Sequence, residues 1–533
     1  MQRRLSEFLT ADLSARAALT RPAGTGAAPS ADPLVAGIAY DSRKVQAGFA
    51  YFALPGLHAD GHSFVPQAIE RGASVVVHQD PLPSYDPAVV YLRTADSRFA
   101  MSPFSDAFWG FPSRDLAVVG VTGTEGKSTT VFLVYQLLDL AGKRAGFVST
   151  VQYRTGATEE WNPEHQTTPE APTVHAALAA MRESGMEYAV IESSSHGLSP
   201  RTNRLGDVAF DVGVMTNVTH EHLEFHGTWE QYRSDKANLF RALDKRSHDK
   251  PSRAPLAARP ALVPAFGVAN ADDPSAAYFA AACGKPVQTF SVRGADADLS
   301  ILTLKSTAAG NAYRVRSRSG AAFDLEDKLP GAFNAGNVLA ALLVVSGLLG
   351  AEPETLAPLV PSLRPVRGRM TVVDRGQPFE VLVDYAHTPS SFETVLPGIK
   401  KRVSAAGGRV ISLFGSGGER DRQKRPEQGR IAAEWSDIVV LADEDPRGED
   451  PLELLEEIAA GCAGLERGKE LFLIPDRPTA IRAAFDLARK GDAVLLLGKG
   501  HENSIIFKDR TMPYDEIAEA EKALSERGYG VRA

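Results

Sequence analysis

Cysteine is nearly missing from this chain. Only Cys283 and Cys462 occur among 533 residues, far apart, so neither a disulfide framework nor a cysteine-based metal site can be built. Each reads as a small buried apolar residue. Positive charge is also in deficit: 58 Lys and Arg stand against 66 Asp and Glu, a net charge of −8. That excludes a nucleic-acid binder working by blanket phosphate neutralisation, so bound anions must be held by local positive groups. No apolar run reaches the length of a membrane span. The start, Met1-Gln-Arg-Arg-Leu-Ser-Glu7, carries charges with no apolar run behind them, unlike a signal peptide. Internal repeats and low-complexity tracts are lacking too. The expectation is a cytoplasmic, monomeric enzyme with no nucleic-acid or membrane partner. A length of 533 residues, with 44% hydrophobic and 23% charged residues, fits about three globular domains.

Arg21 to Pro33, rich in Pro, Gly, Ala and Ser, reads as a loop. Residues 35–100 alternate short apolar runs, among them Val75–Val77 and Val89–Leu92, with Gly and Pro turns, which predicts a small α/β domain. A second unit begins near Arg114. A β-branched run at Leu116–Val121 leads into a Gly-rich loop. A stretch free of Gly and Pro, Lys127 to Leu140, then carries a helical stripe at Val131, Val134, Tyr135 and Leu138. With a strand at Ala145–Ser149 this makes a βαβ unit. Further strands are predicted at Tyr188–Ile191 and Val212–Met215, and residues 245–260 read as a surface loop. A third unit starts around Pro365, with strands at Val410–Phe414, Ile438–Leu441 and Ala493–Leu497. Each runs into a polar or Gly-rich loop, and in open α/β sheets ligands bind at such carboxyl ends.

The loop Gly120-Val-Thr-Gly-Thr-Glu-Gly-Lys-Ser-Thr129 carries the clearest chemistry. Glycines let backbone N–H groups turn toward phosphate oxygens, and the following helix adds its positive end. Lys127 can neutralise the β- and γ-phosphates and Ser128 can reach Mg²⁺. The spacing of Gly120, Gly123 and Gly126 is a variant of the common pattern. Glu192 ends a strand close to that loop, where a nucleotide site needs a metal-binding carboxylate. It is followed by Ser193-Ser194-Ser195-His196-Gly197. Thr216 to Gly227 packs His220, His222 and His226 into seven residues. A zinc site and a histidine beside a phosphate-bound metal are both readings of that cluster.

Together these segments resemble the Mur ligases of peptidoglycan synthesis. The similarity runs on through Tyr232-x-x-x-Lys236-x-x-Leu239-Phe240, Asn270-x-Asp272-Asp273, Leu329-Pro-Gly-Ala-Phe-Asn334-x-x-Asn337 and Val366-x-Gly-Arg369. Asp384-Tyr-Ala-His387-Thr-Pro, Phe414-Gly-x-Gly-Gly-x-Arg420, Asp445-Pro-Arg447 and Gly498-Lys-Gly-His-Glu502 resemble its tripeptide-synthetase branch, as do Asp41-Ser42-Arg43 and Gly56…Asp60-Gly61 at the front. The resemblance implies an α/β fold of three domains. These are a small UDP-binding α/β domain over 1–113, a central ATPase-like parallel-sheet domain with the phosphate loop over 114–363, and a Rossmann-like domain over 364–533.

It also implies the reaction: ATP phosphorylates a carboxylate of UDP-MurNAc-L-Ala-D-Glu, and a diamino acid displaces phosphate. Lys127, Glu192, His222 and Lys236 are the implied catalytic residues. Ser128, Glu192, His222 and Lys236 would hold two Mg²⁺ ions, Lys236 through a CO₂ adduct, since an ammonium cannot ligate a cation and its carbamate can. ATP contacts fall on Gly123, Thr124, Gly126, Lys127, Ser128, Thr129, Asn270, Asn337, Arg369, Asp384 and His387, the last three arriving on domain closure. The nucleotide-sugar peptide is assigned Ser42, Thr167, Thr168, Ser194 and an arginine. The Gln of the usual run is lost here, and that arginine is Arg201 or Arg204, with Arg204 preferred.

The diamino acid is assigned Arg420, Glu444, Asp445, Arg447, Gly498 and Glu502. Diaminopimelate-adding relatives carry Asn where Asp445 stands. An anion there favours lysine or ornithine, whereas Arg447 favours diaminopimelate unless the two pair with each other, and both acceptors stay open. Glu125, where the family has Asn, places an acid beside the phosphates. The other readings are a folylpolyglutamate-synthetase-like amide ligase and a non-catalytic nucleotide-binding partner.

Overall fold

The computed structural model describes residues 2–530 apart from 23–27, 29–30, 57–58, 163, 165, 220–222, 251–260 and 308. The chain is an α/β protein and divides into two compact units. One comprises Met1–Thr289 with Ala340–Ala351, the other Phe290–Leu339 with Glu352–Ala533.

The first unit opens with a four-stranded parallel sheet, Gly37–Ala39, Phe49–Phe52, Val75–His78 and Val90–Arg93, paired in that order. Val75 to His78 are all buried, so the run Val-Val-Val reads as an inner strand of a parallel sheet covered on both faces. The phosphate-loop strand, Ala117–Thr122, lies at the centre of a larger sheet. It pairs in parallel with Tyr188–Glu192 on one side and Val212–Met215 on the other. Val212–Met215 in turn pairs with Phe266–Asn270. Register aligns Glu192 with Val121 and Met215 with Thr122. The carboxyl ends that carry Gly123, Ser193 and Thr216 therefore open on one edge of the sheet.

The helix Lys127–Leu140 follows the loop as expected, with Val131, Val134, Tyr135 and Leu138 buried. Every residue from Thr130 to Leu138 is buried, and only Asp139 and Leu140 are exposed. Its Val, Leu and Phe side chains each contribute roughly 1.5–3 kcal/mol of burial free energy, which holds the loop ahead of them. In the stretch 245–260, read as a surface loop, Lys245, Ser247 and Asp249 are exposed, but one residue is buried. Lys250 is buried, and its ammonium donates to Asp211 Oδ2 at 2.6 Å and to the Leu116 carbonyl at 3.2 Å. His248 Nδ1 lies 2.8 Å from Asp211 Oδ1. The loop is thus pinned to the unit by the paired charges of His248 and Lys250. Residues 251–260 lie outside the described residues. Cys462 is buried as expected, while Cys283 is only partly so.

The second unit holds an antiparallel meander, Leu299–Thr307, Gly310–Ser317 and Ala322–Asp327. Its larger sheet runs Thr371–Val372, Glu380–Asp384, Ala493–Leu497, Val410–Phe414, Ile438–Leu441, Leu471–Leu473. All neighbours are parallel except the first pair. The strands ending at Asp384, Leu497, Phe414 and Leu441 thus deliver their following loops to one side.

Candidate active site

In the first unit the phosphate loop is clamped by residues of the next strand end. Asn217 Oδ1 accepts from the backbone N–H of Thr124 at 3.1 Å and of Glu125 at 2.8 Å, and Asn217 Nδ2 donates to the Glu125 carbonyl at 3.2 Å. Thr216 Oγ1 donates to the same carbonyl at 2.6 Å. A Cβ at Gly123 would lie 1.9 Å from Thr216 Oγ1, so only glycine lets the two elements approach. Gly126 closes the loop at φ +81° and starts the helix at Lys127. Lys127 Nζ donates to the Thr124 carbonyl at 2.6 Å, curled over its own loop. Asn270 Nδ2 donates to the Thr216 carbonyl at 2.9 Å, which keeps that residue beside the loop.

Glu192 is buried at the end of its strand, with both oxygens engaged. Ser128 Oγ donates to Oε1 at 2.9 Å and the Thr150 N–H to Oε2 at 2.8 Å. A hydroxyl and a carboxylate thus meet at the mouth of the loop, the hard oxygen donors that Mg²⁺ takes. Lys236 is 2% exposed, lies 4.5 Å over the Tyr232 ring and donates to the Gly123 carbonyl. Tyr232 OH is 3.0 Å from Thr124 Oγ1. The lysine is therefore a buried neighbour of the loop and not a surface side chain.

His220 and His222 lie outside the described residues. His226 uses both ring nitrogens, with Asp235 Oδ2 2.7 Å from Nδ1 and Ser195 Oγ 3.1 Å from Nε2, so it serves packing and orientation. Ser195 is buried, 2% exposed. Among the described residues no group of three His, Cys, Asp or Glu gathers around a metal position.

Thr168 Oγ1 donates to the Glu192 carbonyl at 2.8 Å and accepts from the Ser194 N–H at 2.9 Å. Arg204 donates to the Thr168 carbonyl at 2.7 Å and to Glu170 Oε1 at 2.8 Å, against this turn. Arg201 instead is exposed, stacks on Phe225 and donates to its carbonyl. Thr167 is half-buried on the same turn. Ser42 donates to Gln67 Oε1 at 2.6 Å. It neighbours a cleft of about 400 Å³ lined by Tyr40, Asp41, Lys44, Trp109, Glu164 and Thr173.

In the second unit, Asp384 ends its strand with a carboxylate that accepts from the N–H groups of Met370 at 2.7 Å and Ala386 at 2.8 Å. Burial raises its pKa, against the pull of Arg369. Arg369 stacks over Tyr385 at 4.6 Å, and His387 Nδ1 lies 2.8 Å from the Tyr385 carbonyl. Asn337 Nδ2 donates to Asn334 Oδ1 at 2.9 Å. Gly498 (φ +99°) brings its backbone against Glu444, where a Cβ would meet Oε2 at 2.7 Å.

Asp445 does not pair with Arg447. Its Oδ1 accepts from Lys499 Nζ at 2.9 Å and from the Ile506 N–H at 3.0 Å. Glu502 accepts from Lys499 at 2.5 Å and from Tyr385 OH at 3.1 Å. Arg420 is exposed on a loop whose Gly418 N–H donates to the Asp445 carbonyl at 2.8 Å.

Two buried arginines hold these parts. Arg425 joins Glu449, Glu457 and the Gly417 carbonyl. Arg477, paired with Glu516 at 2.7 Å, donates to the carbonyls of Asp443 and Leu497, just ahead of Glu444 and Gly498. Neither arginine, nor Lys499 nor Asn217, was assigned a role from sequence. Lys499 sits inside a motif already noted and Arg425 just beyond one, but a partner 54 or 24 residues away leaves no local pattern.

The sequence matches three family descriptions in order: "Mur ligase family, catalytic domain" over 34–96, "Mur ligase middle domain" over 121–345 and "Mur ligase, glutamate ligase domain" over 368–500. The UDP-N-acetylmuramyl-tripeptide synthetase of Treponema denticola is 53% identical over 511 residues, covering 92% of this chain and 94% of the relative. That of Treponema pallidum is 51% identical over 515 residues, covering 92% and 93%. A solved UDP-N-acetylmuramoyl-L-alanyl-D-glutamate–2,6-diaminopimelate ligase is 28% identical, covers 93% of this chain and 96% of its own, and superposes with a TM-score of 0.59. The chain belongs to the Mur ligase family.

Proposed function

We propose that the protein is an ATP-dependent ligase that joins a diamino acid to UDP-MurNAc-L-Ala-D-Glu through an acyl phosphate, in peptidoglycan synthesis. The observation that carries the reading is the meeting of Ser128 and Glu192 at the mouth of the phosphate loop, with Lys236 buried beside it. Relatives that share half of its residues along nearly the whole chain bear the tripeptide-synthetase name.

In this reading the N–H groups of the loop and the Lys127 ammonium bind the ATP phosphates. Asn217 and Thr216 keep the loop preorganised, so the N–H donors need no rearrangement as charge develops. Ser128 and Glu192 suit Mg²⁺, with Lys236 as its carbamate and His222 at a second ion, and Mg²⁺ when bound neutralises charge on the transferring phosphoryl group. Glu125 stands beside the same phosphates, half-buried. Thr167, Thr168, Ser194 and Arg204 orient the peptide carboxylate, and Ser42 with its cleft takes the nucleotide end. Asn270, Asn337, Arg369, Asp384 and His387 complete the ATP contacts. Arg420, Glu444, Arg447, Gly498 and Glu502 receive the diamino acid, whose neutral amine displaces phosphate.

The corresponding domains are 1–113, 114–363 and 364–533, in a cytoplasmic monomer. The test is phosphate release from ATP with UDP-MurNAc-L-Ala-D-Glu plus meso-diaminopimelate, lysine or ornithine, each separately. Release that requires both substrates is expected, and no turnover with any acceptor would sink the reading.

A further inference from the structure

His226 belongs to the histidine cluster that the sequence singles out, yet the ligase reading gives it no role. Its side chain is fully buried. Gly227, at φ +81°, turns the chain and Thr228 caps the helix Trp229–Ala242, so His226 folds back onto that helix. Asp235 Oδ2 accepts from its Nδ1–H at 2.7 Å, and Asp235 Oδ1 accepts from Gln231 Nε2 at 2.9 Å. A carboxylate only accepts, so the proton sits on Nδ1 and Nε2 is left to accept from the Ser195 hydroxyl, 3.1 Å away. Ser195 and Asp235 are buried as well, so bulk water does not compete for these bonds.

The chain of bonds joins two parts of the site. Asp235 precedes Lys236, on a helix tied to the phosphate loop by the Tyr232 hydroxyl and by Lys236 itself. Ser195 follows Ser194, on a turn tied to Thr168 and through it to the end of the Glu192 strand. Glu192 returns to the phosphate loop through Ser128. A closed ring of contacts results, running from the loop to the helix, across His226 to the turn, and back along Glu192. Asn238 Nδ2 donates to the Leu198 carbonyl at 3.1 Å, which ties the far end of the turn to the same helix and leaves the Ser194 end to His226.

In the ligase reading the loop and helix hold the phosphoryl donor, and the turn holds the peptide carboxylate. A carboxylate oxygen attacks the γ-phosphorus, the bond to the β-phosphate oxygen breaks, and ADP leaves. The reacting atoms must lie about 3–3.5 Å apart, and a misplacement of about 1 Å can cost about 100-fold. We propose that His226, oriented by Asp235, is a positioning residue for this first half-reaction. Through Ser195 it sets the turn that carries the peptide carboxylate against the γ-phosphate. This rests on the ligase reading above.

The experiment is rapid-quench ADP formation by the full chain with ATP, Mg²⁺ and UDP-MurNAc-L-Ala-D-Glu, followed by a chase with the diamino acid that the wild type turns over. His226→Ala should slow single-turnover ADP formation about 10- to 100-fold. The KM for ATP should not change, and acyl phosphate already formed should be ligated in the chase at the wild-type rate. A glutamine amide also presents one donor and one acceptor side by side, so His226→Gln should recover most of the loss. Ser195→Ala should slow the same step and add little to His226→Ala when the two are combined. Ser195→Ala carries the test if His226→Ala does not fold.

Wild-type rates of ADP formation in His226→Ala or Ser195→Ala overturn the inference and leave the ligase reading standing. So does a His226→Gln enzyme no faster than His226→Ala, or a variant whose KM for ATP rises or whose chase slows in step with ADP formation, since that is general loosening. A wild type that turns over but forms no ADP before the diamino acid is added overturns it too, because no separate first step then exists to be positioned. A wild type inactive with every acceptor overturns both.

Discussion

Replacing Asn217 with alanine isolates the clamp on the phosphate loop. The side chain makes three hydrogen bonds to the loop backbone, accepting from Thr124 N and Glu125 N and donating to the Glu125 carbonyl. Their losses are unequal. Thr124 N keeps a bond to the Asn217 main-chain carbonyl at 2.9 Å, and the Glu125 carbonyl keeps Thr216 Oγ1. Glu125 N loses its 2.8 Å bond to Asn217 Oδ1 with no second bond from that residue, and losing an acceptor from a donor costs about 1–3 kcal/mol. Glu125 is half-buried, so water recovers part of that and about 1–2 kcal/mol is the reasonable range. Because the cost falls on the geometry that receives the phosphates, the KM for ATP should rise about 5- to 30-fold. The acceptor KM should stay unchanged and thermal stability should fall only slightly. Asn217→Asp should not rescue, since it loses the Nδ2 donor and adds a negative charge near the phosphates. Steady-state kinetics with each substrate varied in turn make the measurement. An Asn217→Ala enzyme with the wild-type KM for ATP would refute the reasoning that this side chain preorganises the loop.

Lys236→Ala should abolish ligase activity, and short-chain carboxylates added in solution should restore part of it; full activity in the unsupplemented variant would exclude the carbamate role. Asp106 is buried 3.5 Å from His175, too far for a hydrogen bond, and burial, with Asp207 adding to it, pushes its pKa up to about 7 against the pull of Arg114, Arg246 and Arg16. A raised carboxyl pKa favours the folded state below the unfolded value near 4, and that contribution is lost as pH rises to about 7. Asp106→Asn should therefore gain Tm relative to the wild type as pH climbs through that window, and a difference independent of pH would count against it. Lys250→Met leaves the Asp211 carboxylate buried without its ammonium and should cost about 3–5 kcal/mol in thermal or denaturant unfolding. Lys250→Met with Asp211→Asn should cost less than the single change.

Strand positions were legible because the inner strands are short β-branched runs bounded by Gly and polar residues. Val212–Met215, Val410–Phe414, Ile438–Leu441 and Ala493–Leu497 begin and end where the pattern places them. The phosphate loop was legible because its chemistry is local: glycines, a lysine and a hydroxyl within a few residues. What escaped depends on distance along the chain. The burial of Lys250 is decided by Asp211, and nothing in the charged run around it announces that partner. Asp445 read alone is an anion without a partner, and nothing near it announces its pairing with Lys499, 54 residues later.

The buried pair of Arg477 and Glu516 has a consequence for the order in which the chain is made. Arg477 emerges 39 residues before the carboxylate that matches it. Until Glu516 follows, burying that guanidinium against the carbonyls of Asp443 and Leu497 leaves its charge uncompensated, which the low-dielectric interior penalises by several kcal/mol. The helix Arg477–Leu487 therefore stays undocked on the nascent chain while the phosphate loop, hundreds of residues earlier, already has its clamp. The order of synthesis lets the clamp on the phosphate loop form first and the wall that Arg477 supports form last.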